Sequence, residues 1–114
     1  MPVWQIAMEV AVRIFEFTQT LPRKEDFALT SQIRRSSLSI SANIAEAFGR
    51  YHRANKLNFY YNARGSLCET MSHIHYAQQV GYMSIEQRNS LDSKLNEVWR
   101  QMNQIIKSLR ESRQ

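Results

Sequence analysis

The chain has 114 residues, 43% hydrophobic and 22% charged, which fits one globular domain and excludes a disordered segment. Three glycines and two prolines exclude a many-stranded β-fold, one cysteine excludes an internal disulfide, and no apolar run approaches the ~20 residues of a membrane span. The net charge of +5 does not by itself exclude any class of partner. The positive charge is unevenly distributed, because residues 23–64 carry a net +5, whereas residues 1–22 carry −1 and residues 65–114 carry +1. We expect a soluble, cytoplasmic protein with no membrane partner, whose middle segment favours an anionic one.

A first helix is predicted over residues 3–19. Its apolar residues recur at helical spacing on two lines, with Glu9, Arg13 and Glu16 as the charged stripe. The first line holds Trp4, Ala7, Met8, Ala11, Ile14, Phe15 and Thr18, and the second holds Val3, Ile6, Val10 and Phe17. A small bundle cannot cover both lines of one helix, so one side is expected to pack against another chain.

A second helix is predicted over residues 23–48, because Leu21-Pro22 ends the first helix and proline suits a first helical turn. Gly49 is expected to close it in the left-handed conformation. The predicted core residues are Leu29, Ile33, Ile40, Ile44 and Phe48, and a separate line of mostly small residues holds Leu38, Ala42, Ala45 and Gly49.

A third helix is predicted over residues 53–80, with Gly81 in the same capping role. Its expected core side holds Leu57, Tyr61, Leu67, Cys68, Met71 and Ile74. Arg64 projects into this side, which requires a carboxylate partner or an exit to solvent. A line suited to close helix packing holds Phe59, Ala63, Ser66, Thr70 and Ala77.

A fourth helix is predicted over residues 84–110, beginning with a capping box formed by Ser84 and Gln87. Its heptad seam consists of Leu91, Leu95, Val98, Met102, Ile105 and Leu109, widened by Trp99 and Ile106. Residues 111–114 are expected to fray. Four long helices with short connections predict an all-α, antiparallel up-down-up-down four-helix bundle that occupies residues 1–114 as one domain.

A polar ladder follows the second helix: Arg35, Ser39, Asn43, Glu46 and Arg50. Two interpretations stay open for it. The ladder is either a solvated face with one Glu46–Arg50 pair, or a hydrogen-bonded strip between subunits. In both cases Ser39, Asn43 and Glu46 are assigned a structural or subunit-interface role.

Three motifs in this region carry a resemblance to a known family. They are Gln32–Ser36, Ser39–Glu46, which reads Ser-Ile-x-x-Asn-Ile-Ala-Glu, and Gly65–Glu69. In order and spacing they resemble the four-helix-bundle proteins encoded in intervening sequences of bacterial 23S ribosomal RNA genes, although Ala47 and Asn62 depart from the family pattern.

The resemblance implies a ring-shaped homopentamer and no enzymatic activity. The family is also similar to the accessory proteins of diversity-generating retroelements, which are basic pentamers that bind a reverse transcriptase and nucleic acid. We therefore expect an oligomer that binds the backbone of RNA or DNA by charge and shape. The phosphate-contacting candidates are Arg34, Arg35, Arg50, Arg53, Lys56 and Arg64, with Tyr51 and His52 available for stacking.

The alternative function is a protein-interaction scaffold, with the Pro22–Asp26 corner and the Tyr51–Lys56 loop as docking ends. An enzyme is not predicted, because no nucleophile–base pair, phosphate loop or paired-carboxylate site is readable. His73 and His75 stand two residues apart and so point to different sides of a helix, which argues against a shared metal ion. The sequence predicts no catalytic residue, no metal and no cofactor.

Overall fold

The structure, a computed structural model, describes residues 1–112, and within them the chain forms four α-helices and no strand. The helices are α1 Pro2–Thr18, α2 Leu29–Gly49, α3 Arg53–Gln79 and α4 Ile85–Glu111. The all-α prediction is confirmed, and the predicted ends of α1, α3 and α4 are each correct to within one residue. Residues 113–114 of the segment expected to fray lie outside the described residues. No described helix combines the length and apolarity that crossing a membrane requires.

The predicted start of the second helix is wrong. Pro22 is extended, Arg23–Glu25 forms one 3-10 turn, and α2 begins only at Leu29. The residues between them have nothing to pack against, since Asp26 is exposed and Phe27 is 98% exposed. A helix in water depends on tertiary packing of an apolar face, and this segment has none, so the proline signal alone does not extend α2.

Each helix contacts two others, so that α1 packs on α2 and α4, and α3 packs on α2 and α4. The backbones of the diagonal pairs α1–α3 and α2–α4 are not close neighbours among the described residues. The seam between α1 and α2 therefore lies on the opposite side of the molecule from the seam between α3 and α4. The core between the helices is aliphatic, and its largest fully buried side chains include Ile14, Ile33, Ile40, Ile44, Leu67, Ile74, Leu95 and Met102.

The core face of α3 differs from the predicted one. Cys68, expected in the core, is exposed, whereas Ala63, Thr70 and Ala77 of the small-residue line are fully buried. Their small volume lets α3 approach α2 closely. On α2, Phe48 was also expected in the core but is 70% exposed. The helical period of the sequence alone does not show which line of residues on a helix is buried in the core.

The two glycine caps have different outcomes. Gly81 adopts φ 88°, and the amides of Gly81 and Tyr82 donate to the carbonyls of Gln78 and Ala77, which is a Schellman motif. Gly49, in contrast, is the last helical residue and has no positive φ, so its predicted role is wrong. The capping box of α4 is confirmed, because the side chains and amides of Ser84 and Gln87 bond reciprocally at 2.9 and 3.1 Å.

The heptad seam of α4 is confirmed in its first four positions and then shifts. Leu91, Leu95, Val98 and Met102 are buried, but the next buried residue is Ile106, and Ile105 is only partly buried. An α-helix with 3.6 residues per turn drifts against a strict seven-residue repeat, which accounts for this shift.

Candidate nucleic-acid interface and apolar face

The six basic residues predicted to bind phosphate do not form one continuous surface. Arg35 donates to Glu69 at 2.9 Å, and Arg50 donates to Glu46 at 3.1 Å. These two guanidiniums are largely neutralised by neighbouring carboxylates. Arg34 lies at the α1–α2 seam, whereas Arg64 lies at the α3–α4 seam, on the opposite side of the bundle.

Arg34 and Lys56 make contacts that hold the fold together. The Arg34 Nε donates to Thr18 Oγ1 at 2.7 Å, and its guanidinium lies 4.9 Å from the centre of the Phe15 ring. Lys56 Nζ donates to the carbonyls of Ala47 and Phe48 at the C-terminus of α2. A cation at this end of a helix is stabilised by the helix dipole, so Lys56 acts as a cap.

Arg64 instead opens onto a concave surface between α3 and α4. We call it the α3–α4 groove; it has a volume of about 330 Å³ and is lined by Arg64, Asn103, Ile106, Lys107, Arg110 and Glu111. The Arg64 Nη1 donates to Asn103 Oδ1 at 2.9 Å, and the side chain is only partly buried. The exit to solvent that this arginine was predicted to need is therefore present.

Three cations without an ion pair line the α3–α4 groove, and a fourth, Arg53, lies beside its end. Arg53 reaches its end by donating to the carbonyl of Ser112 at 2.8 Å, and it joins Arg64, Lys107 and Arg110 there. Among residues 1–112 none of these four forms an ion pair, whereas Arg35, Arg50, Arg88, Lys94 and Arg100 all do. One carboxylate, that of Glu111, lines the groove. The groove therefore carries an excess of positive charge on the described surface.

Sequence reasoning missed Lys107 and Arg110. They belong to a segment whose net charge is only +1, so the charge count gave no signal. Two acidic residues of α4 are engaged away from the groove: Asp92 contacts His75 at 2.8 Å, and Glu97 pairs with Arg100. Helix α4 thereby leaves its two C-terminal cations free to face α3.

Two aromatic rings border the same cations. The Arg64 guanidinium lies 5.1 Å from the centre of the Tyr61 ring and 5.6 Å from that of Trp99. Arg110 lies 5.4 Å from the same Tyr61 ring. Trp99, expected to be a core or interface anchor, is 37% exposed. Cation–π contacts of this kind fix guanidinium groups without using their N–H donors.

The polar ladder of α2 is divided between two roles. Asn43 Nδ2 donates to Ser39 Oγ, and Ser39 Oγ accepts a second bond from Ser66 of α3 at 2.8 Å. Ser39 therefore joins α2 to α3 within one chain, and Asn43 holds the Ser39 hydroxyl from one turn along α2. Glu46 and Arg50 are exposed and form an ion pair with each other, and the Arg50 guanidinium also lies 4.9 Å from the centre of the Phe59 ring.

Helices α1 and α2 together leave an apolar surface uncovered. The α1–α2 apolar face consists of Met1, Trp4, Met8, Val12 and Phe15 on α1 and Leu38, Ala42, Ala45 and Phe48 on α2. Val12 is 51% exposed and Leu38 is 58% exposed. Met1, Trp4, Ala45 and Phe48 line one shallow hollow, so both helices contribute to the surface at this end of the face.

His73 and His75 each contact one carboxylate. His73 Nε2 lies 3.4 Å from Glu69, and His75 Nε2 lies 2.8 Å from Asp92 of α4. No group of three or more His, Cys, Asp or Glu side chains within residues 1–112 is placed to hold a metal ion. Both histidines are thus part of helix-stabilising pairs.

Comparison with known proteins places this fold in a family. The sequence model of the 23S rRNA-intervening sequence protein family matches residues 1–104. The structure is similar to the crystal structure of a protein with unknown function from the S23 ribosomal protein family of Bacteroides thetaiotaomicron VPI-5482. That likeness has a TM-score of 0.85 and 31% identity over 92% of this chain and 98% of the other. No curated protein matches. The chain therefore belongs to the 23S rRNA-intervening sequence protein family.

Proposed function

We propose that this protein is a non-enzymatic, self-assembling four-helix bundle that binds the backbone of RNA or DNA. The observation that carries the proposal is the α3–α4 groove, where three cations free of ion pairs (Arg64, Lys107 and Arg110) line the surface with one carboxylate, and Arg53 lies beside its end. Phosphates bind to such a surface largely by releasing condensed counterions, a contribution that does not depend on base sequence. Of the six predicted contacts, Arg64 lines this groove and Arg53 lies beside its end, and Lys107 and Arg110 supply the other two cations.

Assembly is supported by the α1–α2 apolar face. Five large apolar side chains on it are between 44% and 70% exposed, namely Met1, Val12, Phe15, Leu38 and Phe48. Monomeric proteins rarely leave large contiguous apolar patches in water, so a second copy is the proposed cover. A ring of five, the number implied by the family resemblance, would pool about +25 of charge and bind by avidity.

The topology proposed for each subunit is antiparallel and up-down-up-down. Support comes from the short connections and from two contacts between helix ends: Arg34, in the second turn of α2, bonds Thr18 at the end of α1, and Arg53 at the start of α3 bonds Ser112 just after the end of α4. In this arrangement the α3–α4 groove lies opposite the α1–α2 apolar face. Burial of the apolar face by assembly would consequently leave the groove accessible to nucleic acid.

A salt titration of nucleic-acid binding tests the function. Purified protein is mixed with fluorescein-labelled RNA and DNA, and binding is followed by anisotropy at increasing salt. The double variant Arg64→Gln/Arg110→Gln should weaken binding and reduce the slope of log K against log salt by roughly 0.7 per lost contact for a single strand. Because Arg35 and Arg50 are already paired with carboxylates, Arg35→Gln/Arg50→Gln has the same net charge and should bind nearly as wild type. An absence of salt-sensitive binding at low ionic strength would contradict the proposal.

The protein-interaction scaffold remains the second candidate, because aromatic side chains project from both proposed docking ends. Phe27 is 98% exposed beside the Pro22–Asp26 corner, and Tyr51 is 89% exposed in the Tyr51–Lys56 loop. Changing Lys56 would not discriminate the two functions, since Lys56 caps α2. Phe27→Ser and Tyr51→Ser should leave nucleic-acid binding unchanged and reduce capture of a protein partner if the scaffold function is correct.

A further inference from the structure

We infer that the α3–α4 groove is built for a single strand of nucleic acid, with one base stacked beside Trp99 and phosphates on Arg64, Lys107 and Arg110. This inference rests on the proposed function and specifies the form of nucleic acid that the same surface takes. It applies to DNA and RNA alike, because stacking and charge are common to both.

The charged surface has the shape and length of a single strand. Arg64, Lys107 and Arg110 line a concave groove of about 330 Å³, and Arg53 lies beside its end. Along α3, Arg53 and Arg64 are separated by roughly 16 Å at 1.5 Å per residue, the length of about five stacked nucleotides at 3.4 Å each. A single strand can lie in such a groove and meet each cation in turn, whereas a duplex would touch only its rims.

Trp99 is placed where an unpaired base can stack. Its ring is 37% exposed and lies next to Arg64, so a base can stack against the indole or against the guanidinium plane. The bases of a duplex are already stacked inside the double helix and cannot reach this ring. An exposed tryptophan beside unpaired arginines therefore favours an unpaired strand.

The side chains of Arg64 and Arg110 are already held in place by their neighbours. The Tyr61 ring lies between Arg64 and Arg110, at 5.1 and 5.4 Å from their guanidinium carbons. Arg64 is further held by its bond to Asn103. Side chains that are already ordered lose less conformational entropy on binding, so a thin ligand with few contacts can still bind. The groove would bind a single strand through cationic groups and aromatic rings, which do not read base edges. We therefore expect only a weak preference among base sequences.

Tryptophan fluorescence provides the test, because the chain has two tryptophans on opposite seams of the bundle. The variant Trp4→Phe keeps Trp99 as its reporter, and Trp99→Phe keeps Trp4. Oligothymidylate and oligouridylate are compared with a duplex of equal length. We expect both single strands to quench Trp99 strongly and Trp4 weakly, and the duplex to quench neither. Removal of the ring in Trp99→Ala should weaken single-strand binding roughly tenfold, with Trp99→Phe retaining most of the affinity.

The possible failures are distinguishable. If the duplex binds as tightly as the single strands and Trp99 is not quenched, this inference is overturned and the proposed function stands. If neither form binds in a salt-sensitive way, the proposed function itself fails. Should Trp99→Ala lose helicity by circular dichroism, the exposed Lys107→Gln serves in its place, and it should lower the affinity for single strands more than for the duplex. An equal effect of Lys107→Gln on both forms would count against the single-strand assignment.

Discussion

Thr70 of α3 donates a hydrogen bond of 2.9 Å to Ser36 of α2, and both side chains are buried between the two helices. Thr70 also contacts the carbonyl of Ser66 one turn earlier. Small hydroxyl side chains let the two backbones approach, and their mutual bond satisfies polar groups that water cannot reach. This relationship explains why α2 tolerates several serines, which are mediocre helix formers.

Removing the Thr70 hydroxyl should therefore destabilise the bundle. In Thr70→Val the side chain keeps its shape, but Ser36 loses its donor in a buried position, so we expect a loss of about 1–2 kcal/mol in the free energy of unfolding. Urea denaturation followed by circular dichroism measures it. Ser72→Ala, at an exposed site on the same helix, should change stability by less than about 0.5 kcal/mol. A stability of Thr70→Val equal to that of wild type would show that the bond is not needed.

The capping box gives a second prediction. Ser84→Ala removes the oxygen that accepts from the Gln87 amide and should cost about 1 kcal/mol of stability. The same chemical change at Ser93, exposed in the middle of α4, removes no cap and should be neutral or slightly stabilising. Thermal unfolding of the two variants side by side checks the difference, and equal melting temperatures would refute the role of the cap.

Assembly through the α1–α2 apolar face can be tested by one charge. Val12→Glu places a carboxylate at the centre of that face and should shift the protein towards smaller species, because burying an unpaired charge is costly. Asn96→Glu adds the same charge to an exposed site on α4 and should leave the mass unchanged. Light scattering at several protein concentrations measures both. A wild-type protein that is monomeric at all of them would contradict assembly itself.

Tyr82 should make the free energy of unfolding depend on pH in the alkaline range. Its hydroxyl donates to Glu25 Oε2 at 2.9 Å, and this bond, with burial and the nearby charge, raises the pKa of Tyr82 above its ordinary value of 10.0. The folded state thus favours the protonated phenol, so the contribution to stability is complete below pH 10 and is lost as pH rises through the raised pKa. The stability advantage of wild type over Tyr82→Phe should shrink above pH 10. Tyr51→Phe, at an 89% exposed site, should show no such trend.

Local sequence signals determined most of the secondary structure. The Schellman glycine at position 81, the capping box at Ser84 and the apolar repeat of α4 each act within one or two helical turns, so they can be recognised without knowing the neighbours. The start of α2 was missed because it depends on packing: residues 26–28 are compatible with a helix but are exposed, so no core contact extends α2 back through them.

Tertiary structure decided which faces are buried and which cations meet. Helical period shows that α3 has two candidate apolar lines, but only the position of α2 buries Ala63 and Thr70 and leaves Cys68 in solvent. Similarly, Arg64 and Arg110 are 46 residues apart in sequence, and the packing of α4 on α3 brings both to one Tyr61 ring. Contacts within a helix are determined by spacing along the chain, whereas contacts between helices depend on how the whole core packs.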